Sequence, residues 1–575
     1  MSNIHQEYIN YHEDYIKKFG LKTIVLMQVG SFYEMYMTNT QGPNLRELSQ
    51  MLNIIYTKRD KSVREVNIKN PYMLGFPLVS ADKFITLLIN NGFTVVTIDQ
   101  ITPPPEPERA CTNVFSPATY ISPTPTVNTN YAVVLYFSYE KQLKKKAVSI
   151  DSLLCVGLSA IDVTTGRVIV DESLSTQADT EIALDDTIRF LSNTSPREIF
   201  IILNGVGKMN INAIVDYLQV DPKITKIKEY NNKYIKIDYQ EEYLKNIYSN
   251  TNTLVSQIEA LDLEHKLYGR AALIMLIDYI GDYNKNIIKN LSVPEFIITN
   301  NNLVLGNNAG YQLSVLEHDE STYMTGTKYK CLLDVVNNAV TAMGKRYTKL
   351  ALLNPSSCPK VINSRLDNVE KLLTGSYKDF PEKLSLISDI EKLKRKINLG
   401  ILQPIEMADF IESFIAIQTL LVDINKLKLN NIITDKSIIK ETEEFNKYIQ
   451  EVFNKDILRQ NTLRDIKSNF FNDNIDDKLD EINNKFNREY NLILDLQKKF
   501  IEVINQMNSI KKTKKKVVKK TKKTKEIKEE TNIDASSYIT IQNTASEGYF
   551  LQVSSQRYKA IELFLKNYDN PASDD

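Results

Sequence analysis

The sequence predicts a multidomain chain of mixed class: two small α/β domains, then a long-helix domain, then an α+β unit. Three observations predict it. Over the first 245 residues, apolar runs of strand length alternate with stretches of helical spacing. From about residue 250 the pattern changes to long amphipathic helices, and near residue 540 strand patterns return. A length of 575 residues also corresponds to about four domains at roughly 150 residues each. The boundaries fall at 1–120, 128–245, 250–455 and 456–575.

In the first domain, residues 4–19 space Ile4, Tyr8, Tyr11 and Tyr15 as one helical face, with Gly20 as the stop. Thr23 to Met27 reads as a buried strand, and Gly30 precedes a second extended segment, Ser31 to Tyr36. Residues 45–52 and 82–92 look helical, and 94–98 looks like a strand. Residues 103–127 form a linker, because seven prolines fall in that stretch. The second domain follows with strands at 131–137 and 154–163, a turn at 162–166 into a strand at 167–170, a helix at 182–191 and a strand at 198–203.

Beyond residue 250, helices are predicted over 261–283, 332–353, 407–426 and 479–507. In the last of these, Ile482, Phe486, Tyr490, Ile493, Leu496 and Phe500 form a stripe that should pack on other helices. Residues 511–525 then carry ten lysines in fifteen positions and no acid. A solvated loop accounts for such a run, and so does a segment that tracks phosphates. Tyr538–Ile541 and Gly548–Val553 read as paired strands.

Composition excludes several functions. With 71 basic and 71 acidic residues, the chain is not uniformly cationic. No apolar window reaches membrane-spanning length, and the N-terminal residues lack a secretory pattern, so a soluble, intracellular protein is expected. Cys111, Cys155, Cys331 and Cys358 form no CxxC pair, and His5, His12, His265 and His318 have no metal-ligand spacing; no metal site is expected. The nearest approaches to a P-loop, Gly205–Met209 and Gly344-Lys345-Arg346, lack the hydroxyl and the upstream glycine. No nucleophile–base signature appears, so no catalytic residue is assigned.

The segment Gly30 to Tyr36 carries the chemistry. When extended, it places Phe32, Glu34 and Tyr36 on one face and Tyr33, Met35 and Met37 on the other. The carboxylate marks the first face as the exposed one. An aromatic ring beside a carboxylate at a surface suits a reader of nucleic acid. The ring can enter a base step from the minor groove, at least cost where pairing is already broken. The carboxylate, repelled by phosphates, needs a base edge that offers a hydrogen.

In its context, MQVGSFYEMY resembles the mismatch-recognition segment of the MutS family of DNA mismatch repair proteins. The resemblance continues in order through most of the chain. It is carried by Thr57-Lys58-Arg59, Gly75-Phe76-Pro77, FITLLINNGFTVVTIDQ at 84–100 and Arg109–Thr119. Further on it is carried by Val156–Gly166, Thr341–Arg346 with Leu352–Pro355, Asp389–Leu393 with Leu399-Gly400, and Gly548–Val553.

The resemblance implies a mismatch-recognition domain, a connector, a core/lever and a clamp. The Lys-rich insert at 511–525 departs from it, because the usual family pattern is shorter there. It implies that Phe32 stacks at a mispair and Glu34 contacts the base. It also implies that Thr341–Arg346 and Leu352–Pro355 are framework residues. The implied partner is double-stranded DNA with mispairs or small loops. Backbone contacts are expected from Lys511, Lys512, Lys514, Lys515, Lys516, Lys519, Lys520, Lys522, Lys523 and Lys525.

The family's ATPase follows the clamp, so no cofactor is expected in this chain. ATP and Mg belong to the ATPase half, and three accounts of it compete: a separately encoded half that assembles with this one, a fragment or split gene, or a stand-alone DNA-binding protein that has lost ATP control. A MutS-type dimer partner is a further partner that the resemblance implies. The Asn-, Ile- and Lys-rich, Trp-free composition suits the family's branch in large DNA viruses. The compartment is open. The alternative is a scaffold or DNA-binding protein of the same descent with no mismatch preference.

Overall fold

The computed structural model describes residues 4–568 apart from 103–106, 123–125, 142–151, 206–210, 249–254, 297–301, 304–308, 317–328, 375–377, 428, 430–436, 464–465, 467, 519–538 and 545–547. The chain divides into two compact units, Met1–Lys447 and Tyr448–Asp575.

The first unit opens with a six-stranded sheet of order β3-β4-β2-β1-β5-β6. Its strands are β1 (Thr23–Val29), β2 (Phe32–Met37), β3 (Thr57–Lys58), β4 (Tyr72–Pro77), β5 (Thr94–Gln100) and β6 (Arg109–Phe115). Only β1 and β5 pair in parallel. Helices α1 (Ile4–Phe19), α2 (Leu45–Leu52) and α3 (Ala81–Asn90) cover the sheet. Ile24 to Met27 are accordingly all buried, since both faces of β1 are covered.

The proline-rich linker does more than connect. Its prolines flank a proline-free stretch, and that stretch forms the edge strand β6 against β5. Pro103, Pro104, Pro105, Pro123 and Pro125 lie outside the described residues.

On the buried face of α1, His12 has no hydrogen-bond partner for its Nε2 among the described residues. Burial pushes its pKa down to about 4. The sign follows from linkage. Below pH 6.5 the unfolded chain takes up a proton that the folded chain refuses until about pH 4, so stability present above pH 6.5 is lost on acidification. The loss should approach about 3 kcal/mol at pH 4. Urea midpoints of the full chain at pH 7.5 and 4.5 check this. The His12→Gln variant should show a smaller drop, and an equal drop would refute the assignment.

The second sheet has the order β11-β10-β7-β8-β9. Its strands are β7 (Tyr131–Lys141), β8 (Ser152–Asp162), β9 (Arg167–Leu174), β10 (Glu198–Asn204) and β11 (Thr225–Lys228). Val133, Leu135 and Phe137 face helices α4 (Ile182–Thr194) and α5 (Ile211–Leu218). Ala132, Val134 and Tyr136 face the helix Leu267–Tyr283, which α6 (Ile237–Ile247) also contacts. Two covered faces explain the near-continuous apolar runs. Buried Glu198 joins the sheets: it accepts from Ser116 Oγ and from Ala118 N (3.0 Å), and pairs with Lys226 Nζ (2.6 Å).

Two predicted helices are shorter than their periodicity suggested. The helix expected over 261–283 begins at Leu267, because Asp262 turns left-handed (φ 55°) and buries Leu261 and Leu263 on either side. The helix expected over 332–353 is two, Leu332–Val336 and Ala342–Leu353. Asn337 and Asn338 bond locally, and Thr341 Oγ1 caps the second helix by accepting from Gly344 N (3.0 Å).

In the second unit the helix Asp477–Val518 runs for 42 residues, past the predicted end at 507. Part of its apolar stripe packs on a hairpin and one helix among the described residues, while Ile482 and Leu496 stay exposed. Phe486 and Tyr490 meet Tyr549, while Phe500 and Ile504 meet Ile539, Leu551 and Ile561. The hairpin is β12 (Ile539–Thr544) with β13 (Gly548–Val553), paired antiparallel, and the helix is Ser555–Tyr568. Tyr538 lies outside the described residues.

Candidate nucleic-acid interface

β1 and β2 form a hairpin whose loop is Gly30-Ser31, closed by the pair Val29–Phe32. Gly30 has φ +59°, a conformation that favours glycine at the first position of such a turn. The turn is anchored from behind. Gln28 Nε2 donates to Gly30 O (3.1 Å), Gln28 Oε1 accepts from Gln100 N (2.9 Å), and Arg109 Nε donates to Gln28 O (3.1 Å). Tyr33 beneath it donates to Asp99 Oδ1 (2.6 Å).

Phe32 is therefore the first strand residue after a braced turn, and it is 44% exposed. The braced backbone beneath the ring has little conformational freedom left to lose on stacking. Two further apolar side chains at this end of the sheet are open to solvent, Val79 just after β4 and Ile101 just after β5.

Glu34 lies two residues on, half-buried, opposite Met27 and Gly75. A Cβ at Gly75 would sit 2.9 Å from Tyr33 O and 3.2 Å from Glu34 Cγ, so the glycine makes room for the carboxylate. Glu34 Oε2 accepts a hydrogen bond from the Tyr36 hydroxyl. Burial and the adjacent carboxylate hold that hydroxyl far above the ordinary tyrosine range, so it stays a donor.

The expected exposed face divides here. Phe32 and Glu34 reach solvent, but Tyr36 is buried, edge-on to His5 (4.7 Å) and Tyr8 (5.3 Å) of α1. Helix α1 covers only the far half of the strand. Tyr36 thus becomes a clasp for Glu34, a role that alternation alone assigned to solvent.

The lysine run is in the other unit. Lys511, Lys512, Lys514, Lys515 and Lys516 lie on the last turns of the helix Asp477–Val518, so that stretch is helical rather than a loop. Lys519, Lys520, Lys522, Lys523 and Lys525 lie outside the described residues. Among the described residues no group of His, Cys, Asp or Glu could hold a metal ion, and no helix is long and apolar enough to cross a membrane.

Of the framework motifs, Arg346 binds both Asp389 (2.6 Å) and Glu391 (2.5 Å) and donates to Val127 O (3.2 Å). Framework is the part the resemblance gave it.

Fold and site define a class: a modular protein that presents an exposed aromatic–carboxylate pair on a braced hairpin of an α/β domain. The sequence matches the family models of MutS domain I over residues 9–124 and MutS domain III over 308–520, together more than half of its length. The chain belongs to the MutS family.

A DNA mismatch repair mutS homolog of Acanthamoeba polyphaga mimivirus is 33% identical over 528 residues, 87% of this chain and 46% of that protein. A DNA mismatch repair protein MutS of Caldanaerobacter subterraneus subsp. tengcongensis is 26% identical over 76% of this chain and 45% of its own length. A mitochondrial DNA mismatch repair mutS homolog of Sarcophyton glaucum is 26% identical over 77% and 49%. The chain spans about half the length of the curated relatives it matches.

Proposed function

We propose that this chain binds mismatched double-stranded DNA in mismatch repair, with Phe32 as the wedge and Glu34 as the base contact. The observation that carries the reading is the exposed Phe32 ring on a braced strand end, two residues from a carboxylate whose second oxygen, Oε1, has no partner among the described residues. Unstacking a mispair costs less than opening a sound pair, so a wedge converts that difference into preference.

In this reading residues 1–120 recognise the mispair and 128–245 act as connector. Residues 250–455 form the core/lever and 456–575 the clamp, whose lysines at 511–525 add salt-sensitive affinity. ATP-dependent steps, with Mg, belong to an ATPase half outside this sequence, on the same polypeptide, a separate chain or a dimer partner.

The test compares heteroduplex and homoduplex binding by the full chain and by Phe32→Ala. Loss of one base–aromatic stack, roughly 1–3 kcal/mol, should cut the mismatch preference about 5- to 150-fold. Equal preference in the two proteins would sink the wedge. No preference in either would favour a scaffold of MutS descent.

A further inference from the structure

We infer that the loop between β3 and β4, residues 59–71, is a second DNA contact that grips backbone phosphates through Lys61, Arg64 and Lys69. The inference rests on the reading that duplex DNA lies against the first sheet.

The loop is built around Asn70, which is buried. Its Oδ1 accepts from Asp60 N (2.8 Å), while its Nδ2 donates to the carbonyls of Asp60 (3.1 Å), Glu65 (3.2 Å) and Val63 (3.4 Å). Asn67 Oδ1 closes the far side by accepting from Lys69 N (2.9 Å) and Asn70 N (3.1 Å). Lys58 Nζ reaches across from β3 and donates to Arg64 O (2.8 Å). One buried amide thus holds a dozen residues in a fixed shape.

The charge on that shape is one-sided. Arg59, Lys61, Arg64 and Lys69 are exposed, with only Asp60 and Glu65 as carboxylates in the loop. Asp60 is turned onto Ser62, accepting from its N (2.9 Å) and Oγ (2.6 Å). Among the described residues Lys61, Arg64 and Lys69 have no carboxylate within ion-pair distance. Arg59 donates to His5 Nε2 (3.3 Å), and burial keeps that histidine neutral, so its guanidinium charge is also uncancelled. Side chains left unpaired on a rigid loop suit a polyanion, and nothing apolar beyond half-exposed Val63 suits a protein groove.

Position fits the same duplex. β2 runs from Phe32, paired with Pro77, to Met37, paired with Tyr72, and Lys58 pairs with Tyr72 on the next strand. The loop therefore leaves the sheet at the end opposite Phe32, about 17 Å along the strand at roughly 3.3 Å per residue. On duplex DNA that distance is about five base pairs. A fixed cationic loop half a turn from the wedge would hold the flanking backbone while the wedge tests the step.

The experiment titrates the full chain and its Lys61→Ala/Arg64→Ala/Lys69→Ala variant with homoduplex and single-mismatch DNA across a salt series. Loss of three phosphate contacts should lower the slope of log K against log salt by about 2.7, roughly 0.9 for each contact. Both duplexes should weaken by the same factor, so the mismatch preference should persist. A charge-conserving Lys61→Arg/Arg64→Lys/Lys69→Arg variant should keep the wild-type slope.

Unchanged affinity and slope in the alanine variant would overturn the inference, and would do so even where Phe32→Ala abolishes mismatch preference. A lowered slope in a protein without mismatch preference would leave the loop standing and remove the wedge.

Discussion

Replacing Arg395 with methionine should lower the stability of the first unit by roughly 3–5 kcal/mol. Arg395 lies on the helix Ile390–Leu399 and is 1% exposed. Its guanidinium spends its donors on backbone. Nη1 donates to Lys289 O (2.7 Å) and Asn290 O (3.0 Å), Nη2 to Ile287 O, and Nε to Val163 O (3.3 Å). Burial pulls its pKa down to about 10, still protonated at neutral pH.

Methionine fills a similar length but brings no donor, and each buried carbonyl left unpaired costs about 1–3 kcal/mol, less than additively. Lysine should recover only part of the loss, because a point ammonium cannot fan out to four carbonyls. The chain has 31 tyrosines and no tryptophan, so tyrosine emission through a urea series reads the midpoint. A midpoint unmoved by Arg395→Met would show that the carbonyls find other donors.

The same helix gathers neighbouring parts of the unit. Asp389 and Glu391 hold Arg346 of the helix Ala342–Leu353, and Lys392 Nζ donates to Thr126 O (2.6 Å) and Asn128 O (2.8 Å) between the two sheets. The first sheet is thereby referred, through the linker, to the helix Ile390–Leu399. Under the proposed function, a loosened Arg395 would leave Phe32 in place on its hairpin while weakening what positions that hairpin.

Much of this was legible in the sequence, where a local rule decides the outcome. The first helix runs over Ile4–Phe19 and the third strand pattern over Thr94–Gln100 because spacing and glycine stops suffice. Phe32 at an exposed strand start follows from alternation after Gly30. What could not be read depends on partners distant in sequence.

Tyr36 obeys the same alternation and is buried, since helix α1 reaches only that end of β2. The stripe on Asp477–Val518 announces a cover without saying that a hairpin supplies it, or that the cover leaves Ile482 and Leu496 exposed. Lysine is a good helix former, so the helix continues into a run that looked like a loop. The basic loop has no periodicity at all. Its shape depends on Asn70, whose four bonds no spacing announces.

A single methyl at Gly157 should be about as damaging as the loss of Arg395, and for a steric reason. Gly157 lies on β8 where the helix Leu267–Tyr283 crosses the sheet. An added Cβ would stand 2.1 Å from Tyr268 O, 2.4 Å from its carbonyl carbon and 3.1 Å from Gly269 N. These are backbone atoms, which cannot rotate away as a side-chain end would. From the other side Gly269 makes the same close approach, 2.8 Å from Asp171 O. Helix and sheet thus meet backbone to backbone, and the helix cannot lift without opening the core at Ala271 to Ile277, all fully buried.

Gly157→Ala should therefore cost roughly 3 kcal/mol or more, at the upper end of overpacking changes. Gly281→Ala is the matched control on the same helix. There the nearest atom to a new Cβ is Ile288 Cδ1 at 3.4 Å, so the gain in helix propensity, up to about 1 kcal/mol, should dominate. Urea midpoints that move in opposite directions for the two variants would establish the crossing. If Gly157→Ala left the midpoint in place, the helix would have to rest farther from the sheet than these distances state.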